Sequence, residues 1–517
     1  MRPHGAARYQ ETTVESIVRN YLEQFGVREE TRRFLEQPQR MLINGAFVAG
    51  GEGEALDVVE PSTEGVITQI PLATTADLDR AVAAARAQFD GGAWRRLKPL
   101  ERERLLHRLA DLIEAHADEL AEIESIDVGK SVANARDVDI QGTIDTYRYF
   151  AGWASKLHGR TVEPSLPGHY LAYTRKEPVG VVGIIVPWNF PLQTLAWKLA
   201  AALAVGCTAV IKPAELTSLS TLRFAQLVKE AGIPDGVVNV VTGRGNVIGA
   251  AMARHPGIDK VTFTGSTAVG RDVGSAAVDG VKRVTLELGG KSPVLVLDDA
   301  DVEAAARAVA NGMFFNSGQV CDAGSRLYVQ RGVHERFLAA LIDYTRTLKI
   351  APGLDRDCFI SPLVSAQQKA RVTSWIETGR REGAELVYGG RNVEGSGYFV
   401  QPTIFAHCRP DMRIVKEEIF GPVLVSAPFD DLNEAIALAN DTPYGLAAAI
   451  YSRDLNRVHA LVPKLRAGSV YVNAHSTIDP AMPFGGFKES GFGKDLGAEQ
   501  LDSLMETKAV WITLNDA

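Results

Sequence analysis

Several short segments carry side chains whose types and spacing can do chemistry. Gly318-Gln319-Val320-Cys321 sets a thiol beside backbone N–H groups, where it can ionise and attack a carbonyl carbon. A lone cysteine is more often an inert buried thiol. Glu287 precedes it by 34 residues and lies in the apolar run Val284–Leu288, ahead of Gly289-Gly290-Lys291-Ser292-Pro293. A carboxylate emerging from such a run can have a raised pKa and act as a general base, although a salt-bridged structural Glu is the plainer reading. In Pro187-Trp188-Asn189-Phe190-Pro191 two prolines stiffen a turn around an amide that can donate to a developing oxyanion or, more simply, cap a helix.

Nucleotide chemistry is suggested at three further places. In Lys212-Pro213-Ala214-Glu215 the acid can accept from two ribose hydroxyls and the lysine can donate to ribose or phosphate; a surface ion pair opening a helix is the alternative. Gly265-Ser266-Thr267-Ala268-Val269-Gly270 enters a helix whose free N–H groups can hold a pyrophosphate, and no Gly-Lys-Ser/Thr ending makes it a Walker loop. Gly243-Arg244-Gly245-Asn246-Val247-Ile248-Gly249 is one residue too long for G-x-G-x-x-G and reads equally as a plain glycine-rich turn.

The elements that must position these groups follow from hydrophobic periodicity. Apolar runs at 179–186, 209–211, 237–241 and 261–263 alternate with helical patterns, which predicts a doubly wound parallel sheet covered on both faces. Between them Leu216, Leu219, Phe224, Leu227 and Val228 mark a helix stopped by Gly232 and Pro234. A second α/β series is expected from about Val284, with strands at 294–297 and 327–329 and helices near 302–316 and 333–348. In such sheets ligands bind beyond the carboxyl ends of the strands, where most of these motifs fall. Apolar residues of 87–126 predict a helix pair, and Val14, Ile17, Val18, Tyr21 and Leu22 share one helical face in a polar extension over residues 1–40.

Composition bounds the rest. The chain has 517 residues, 46% hydrophobic and 23% charged, with a net charge of -8, so several folded domains are expected and no basic footprint favours nucleic acid. The apolar run Leu199–Ile211, 13 residues long, is too short to span a bilayer. Cys207, Cys321, Cys358 and Cys408 form no C-x-x-C pair, which speaks against a disulfide framework or thiolate zinc site and suits a reducing cytoplasm. No H-E-x-x-H or G-x-S-x-G motif is present, so no metal site and no serine nucleophile is expected.

Together with Glu417-Glu418-Ile419-Phe420-Gly421-Pro422 and Pro483-Phe484-Gly485-Gly486, these motifs occur in an order that resembles the aldehyde dehydrogenase superfamily over roughly residues 40–510. The resemblance implies an α/β fold: a doubly wound cofactor domain (41–159 and 177–286), an α/β catalytic domain (287–484) and a small oligomerisation hairpin (160–176 and 485–517). It also implies homodimers or homotetramers and oxidation of a small aldehyde by NAD. The implied catalytic residues are Cys321 as nucleophile, Asn189 as oxyanion donor and Glu287 as base. The cofactor positions are Pro187, Trp188, Lys212, Glu215, Gly245, Gly249, Phe263, Gly265, Ser266, Gly270, Leu288, Glu418 and Phe420. Glu215 should repel a ribose phosphate, favouring NAD while leaving NADP open. Glu287 favours hydrolysis over acyl transfer to coenzyme A, since relatives performing that transfer lack the base.

The implied substrate positions are Phe190, Trp197, Val320, Asp322, Ile478 and Phe484, whose aromatic walls suit a planar or bulky apolar aldehyde. The stretches 173–180 and 473–480, with Phe34-Leu35, look most like phenylacetaldehyde dehydrogenases. Betaine-aldehyde or broad aliphatic specificity is the alternative, followed by a catalytically silent structural member.

Overall fold

A computed structural model describes residues 17–51 and 53–514. Its first sheet has eight strands in the order Gly491–Phe492, Arg283–Glu287, Lys260–Thr264, Val181–Ile185, Thr208–Lys212, Val238–Val240, Met41–Ile43 and Ala46–Val48. The five from 283–287 to 238–240 run parallel, and antiparallel strands close both edges. All residues of the 181–185 and 208–212 strands are buried, which explains why they read as unbroken apolar runs rather than alternating ones. Chain order reverses between the 181–185 and 260–264 strands, so a ligand crevice is expected just beyond their carboxyl ends.

The Val284 run belongs to this first sheet, pairing in parallel with Lys260–Thr264, and does not open the second α/β series. That series begins at Pro293–Val296, after the chain crosses at Gly289-Gly290. The second sheet has seven strands, in the order Glu385–Tyr388, Thr403–Ala406, Val423–Phe429, Arg326–Gln330, Pro293–Val296, Ala447–Tyr451 and Ser469–Val472. Only its 385–388 edge is antiparallel. The helices Val302–Phe314 and His334–Thr345 cover it, each with its apolar stripe buried.

A separate three-stranded antiparallel sheet joins Thr161–Val162, His169–Pro178 and Met505–Leu514, the last two in register over their whole lengths. Within 485–504, Gly491–Phe492 instead edges the first sheet.

The expected helix pair is Pro99–Ala115 and Ala117–Val128, while Thr75–Asp90 packs on the first sheet in a separate core. Pro99 opens the first helix of the pair and Gly129, at φ 88°, ends the second. Of the expected N-terminal helical face, Val18, Tyr21 and Leu22 are buried, Ile17 is exposed and Val14 lies outside the described residues. Together with Phe34 and Leu35 of the Glu29–Glu36 helix, the buried ones join the core around Leu106, Leu109 and Leu120. Thr31 adds a 2.6 Å hydrogen bond to Glu122, so this part of the extension is docked on the helix pair.

Candidate active site

A cavity of about 410 Å³ opens at the carboxyl ends of the parallel strands, between the two sheets. Its walls include Pro187, Trp188, Asn189, Phe190, Trp197, Lys212, Glu215, Gly245, Phe263, Gly265, Ser266, Glu287, Leu288, Val320, Cys321, Asp322, Glu418, Phe420, Ile478 and Phe484. Gly249 and Gly270 do not reach it. Gly270 lies one turn into the Thr267–Asp279 helix, where a Cβ would sit 2.3 Å from Leu288, so it permits close packing of helix on strand rather than ligand contact. Gly249 packs against the Lys212 side chain, 3.6 Å from where its Cβ would lie.

The thiol is held by a backbone that leaves the right-handed region. After the 302–314 helix, Asn316 and Ser317 take φ values of 47° and 53° and Gly318 takes 70°. Such a run of left-handed residues persists only when the surroundings fix it. Here they do: Asn189 Nδ2 donates to the Gln319 carbonyl at 2.8 Å, Ser317 Oγ donates to the Ser361 carbonyl, and Val364 N–H donates to Gln319 Oε1 at 3.0 Å. One hydrogen of the Asn189 amide is thereby used to fix the loop, and the other remains for a substrate oxygen. Burial pushes the Cys321 thiol well above its ordinary pKa, and the carboxylates of Asp322, Glu418 and Glu287 push the same way. At rest the group is a neutral thiol, which must lose its proton before the sulfur can act as a nucleophile.

Glu287 ends its strand buried, and neither carboxylate oxygen has a hydrogen-bond partner among the described residues. Burial raises its pKa well above the ordinary value; Asp495 reinforces this, while Lys198 and Lys494 oppose it. Room for the carboxylate depends on Gly485, at φ 150°, where any Cβ would lie 2.4 Å from Glu287 Oε1. An unsatisfied buried carboxylate facing a cavity is costly to stability and is suited to taking a proton. Nearby, Lys198 and Asp495 form a buried ion pair at 2.5 Å.

The nucleotide end is built mostly from strand ends. Glu215 Oε2 lies 3.3 Å from Lys212 Nζ, and its Oε1 accepts from Gly245 N–H at 3.3 Å. Burial raises the Glu215 pKa, but the Lys212 charge and the backbone donors outweigh it and leave the group ionised below its usual range. The glycine-rich turn thus contributes a backbone donor, and Ser266 caps the following helix through Val269 N–H. Glu418 Oε1 accepts from Gly290 N–H at 3.0 Å, and burial pushes its pKa up to about 7. Gly289 leaves the space this carboxylate occupies, since a Cβ there would be 2.3 Å from Glu418 Oε2. Phe420, at φ 60°, meets Trp188 edge to face with ring centres 5.2 Å apart. These carboxylate acceptors, backbone donors and a helix N-terminus fit the two ribose rings and the pyrophosphate of a dinucleotide.

At the other end Phe190 stacks on Phe315 at 6.2 Å, and Trp197 meets Phe484 at 5.1 Å. Lys130 Nζ sits 4.1 Å over the Phe190 ring while bonding Asp139 at 2.7 Å, which pins that ring from behind. Asp322 is almost fully buried and accepts from Tyr471 OH at 3.1 Å, so its carboxylate is committed to the wall.

Phe315, Val138, Gln193, Thr194, Gln368, Arg371 and Ser476 also line the cavity, although no sequence motif singled them out. Gln368 and Arg371 donate to the Phe420 and Glu418 carbonyls, at 2.6 and 2.8 Å. A helix over Ala366–Arg381 places both, but nothing in their spacing indicates which strand that helix faces.

The sequence profile of the aldehyde dehydrogenase family matches residues 47–510. The chain belongs to the aldehyde dehydrogenase family. A putative aldehyde dehydrogenase of Bacillus subtilis is 45% identical over 490 residues, covering 95% of this chain and 99% of that protein. The NAD+ complex of an aldehyde dehydrogenase from Bacillus cereus superposes with a TM-score of 0.93 at 46% identity, covering 95% and 99% of the two chains. An indole-3-acetaldehyde dehydrogenase of P. syringae, solved with NAD+ and IAA, gives 0.91 at 42% identity, over 93% and 98%. This aldehyde dehydrogenase is an NAD-dependent oxidoreductase with the α/β fold of its relatives. No helix among its described residues is long and apolar enough to cross a membrane.

Proposed function

We propose that the enzyme hydrolytically oxidises arylacetaldehydes of the phenylacetaldehyde type, with Cys321, Asn189 and Glu287 as the catalytic set. The observation that carries the substrate class is the pair of aromatic contacts, Phe190 on Phe315 and Trp197 on Phe484, all four rings lining the cavity that also holds Cys321. Flat aromatic walls bury a planar group at low entropic cost. The likeness to an indole-3-acetaldehyde dehydrogenase supports the same class.

In this reading the Cys321 thiol gives up its proton to solvent as the sulfur adds to the aldehyde carbon. The carbonyl electron pair moves to oxygen, where the free Asn189 N–H and the Cys321 backbone N–H receive it. Glu215, Gly245, Ser266 and Glu418 would hold NAD, which would supply the hydride acceptor for oxidation of the Cys321 thiohemiacetal to a thioester. Glu287 then takes a proton from water as the water oxygen adds to the thioester carbon; the C–S bond breaks, Glu287 returns that proton to the departing thiolate and the acid leaves. The ionised Glu215 supports NAD over NADP, because a phosphate on that ribose would meet its charge.

The three-stranded sheet exposes Leu171, Trp511, Ile512 and Leu514, a surface suited to the subunit contact of a homodimer or homotetramer, which light scattering on purified protein tests. Its free cysteines, three of them buried, suit a cytoplasmic enzyme.

The substrate test is NADH appearance without coenzyme A, comparing phenylacetaldehyde, benzaldehyde, hexanal and betaine aldehyde. A kcat/KM preference for phenylacetaldehyde is expected; equal values across the four would remove the aromatic assignment and leave a broad aldehyde dehydrogenase.

A further inference from the structure

We infer that His334, Glu335 and His407 form a binding site for a zinc-class divalent cation at the edge of the second sheet, separate from the catalytic cavity. None of the three lines that cavity. His334 and Glu335 open the helix that follows the 326–330 strand, and His407 directly follows the 403–406 strand. The site therefore joins residues more than 70 positions apart in the chain, and no local motif such as H-E-x-x-H announces it.

Its geometry is close to what such a cation requires. Zn²⁺ holds imidazole nitrogens and carboxylate oxygens about 2.0–2.2 Å away in a tetrahedron, which puts neighbouring ligand atoms about 3.3 Å apart. His334 Nδ1 lies 2.9 Å from Glu335 Oε1, His407 Nε2 lies 3.6 Å from the same oxygen, and all three donor atoms fall within 4.8 Å of one another. The two imidazole centres are 5.2 Å apart. Glu385, on the neighbouring edge strand, brings Oε2 to 3.8 Å from His407 Nε2, so a fourth oxygen is within reach of a small side-chain movement.

The surroundings favour coordination over a simple ion pair. Ser426 Oγ lies 3.4 Å from His334 Nε2, where it can accept that N–H and leave Nδ1 with its lone pair toward Glu335. Such a partner on the far nitrogen is the usual way a ligating histidine is oriented. His334 is buried and held by packing, while His407 and Glu335 are accessible to an ion from solvent. Arg331, four residues before Glu335, is engaged with Asp430 at 2.9 Å rather than with Glu335. Two imidazoles and a carboxylate select Zn²⁺ and its late first-row neighbours over Mg²⁺ or Ca²⁺. Bound there, the ion would tie the 334–345 helix to the sheet edge, a structural rather than a catalytic role.

The test is titration calorimetry of the full-length, chelator-treated enzyme with ZnCl2 near neutral pH, comparing wild type with His407→Ala and Glu335→Gln. All three proteins keep Cys321, so zinc taken up by the thiol is common to them and cancels. Wild type is expected to bind one equivalent more than either variant, with the extra equivalent weakened about tenfold by Ser426→Ala. Zinc at that stoichiometry should also raise the Tm of wild type and not of His407→Ala. In EDTA, aldehyde oxidation by wild type and His407→Ala should be equal, showing that the variant is folded. Equal zinc stoichiometry and affinity in wild type and both variants would overturn the proposal, leaving a His–Glu ion pair only; binding of MgCl2 as tight as ZnCl2 would overturn the assigned metal class.

Discussion

At the nucleotide end of the cavity the walls are strand ends and the first groups beyond them: Lys212 and Glu215 at the end of one strand, Gly265 and Ser266 after another, Leu288 and Gly289 after a third. At the aldehyde end they are side chains from the Pro191–Val205 helix, the left-handed loop at Phe315 and the separate segments around Ile478 and Phe484. Backbone donors stay in place when a side chain is changed, whereas aromatic walls change size and shape with every substitution. In the proposed function the fixed end and the thiol would determine that an aldehyde is oxidised, and the variable end would determine which aldehyde.

That contrast predicts how sharply each substitution should act. At the junction of the two ends, Cys321→Ala should lower turnover on the order of 10⁴-fold or more while NAD binding, followed by fluorescence, is kept. Loss of NAD affinity in this variant would show that the two ends are not separable. Glu287→Gln should slow steady-state turnover about 10²- to 10⁴-fold yet preserve a pre-steady-state burst of NADH, because hydrolysis of the thioester suffers more than hydride transfer. The raised pKa of Glu287 carries a sign: the carboxyl is neutral over more of the acid range, and the basic form is gained as pH rises. The wild-type deacylation rate should therefore climb with pH well above the ordinary glutamate range, and a profile flat from pH 5 upward would remove Glu287 as the base.

Smaller effects belong to each end separately. Glu418, with a pKa of about 7, accepts ribose hydroxyls best when ionised, so NAD affinity should fall as pH drops below about 7, by up to about tenfold per pH unit, and the dependence should vanish in Glu418→Gln. Glu215→Ala should narrow the NAD to NADP ratio of kcat/KM by on the order of tenfold without changing aldehyde preference. Phe315→Ala removes the Phe190 stack and should reduce the preference for phenylacetaldehyde over hexanal by roughly 2- to 10-fold, with NAD kinetics unchanged. A shift in NAD kinetics in that variant would join the two ends that the comparison separates.

The nucleotide end was readable in the sequence because each motif sits within a few residues of a strand whose apolar run announces it. Its misreadings were local. Gly270 faces Leu288 because a helical residue's direction depends on what the helix packs against. The Val284 run forms the last parallel strand of the first sheet rather than the first strand of the second, because an apolar run carries no label of the sheet it will join. At the aldehyde end, Phe190, Trp197, Ile478 and Phe484 were named through family likeness, whereas Phe315 fell inside an expected helix, Ser476 in a stretch noted only for its likeness, and Gln193 in neither, so none was marked as a wall of the cavity. Asp322 was legible as an acid beside the thiol, but its bond to Tyr471 joins positions 149 residues apart.

By itself, then, the sequence determined the alternation of strands and helices, the chemical types at the strand ends and the order of the motifs, since all of these arise from interactions along a few turns of chain. The tertiary structure decided the unsatisfied burial of Glu287 against Gly485, the left-handed loop locked by Asn189 beneath Cys321, the pairing of aromatic walls and the meeting of His334, Glu335 and His407. Each of these depends on desolvation or on contacts between distant segments, and such quantities have no value until the chain has closed around them.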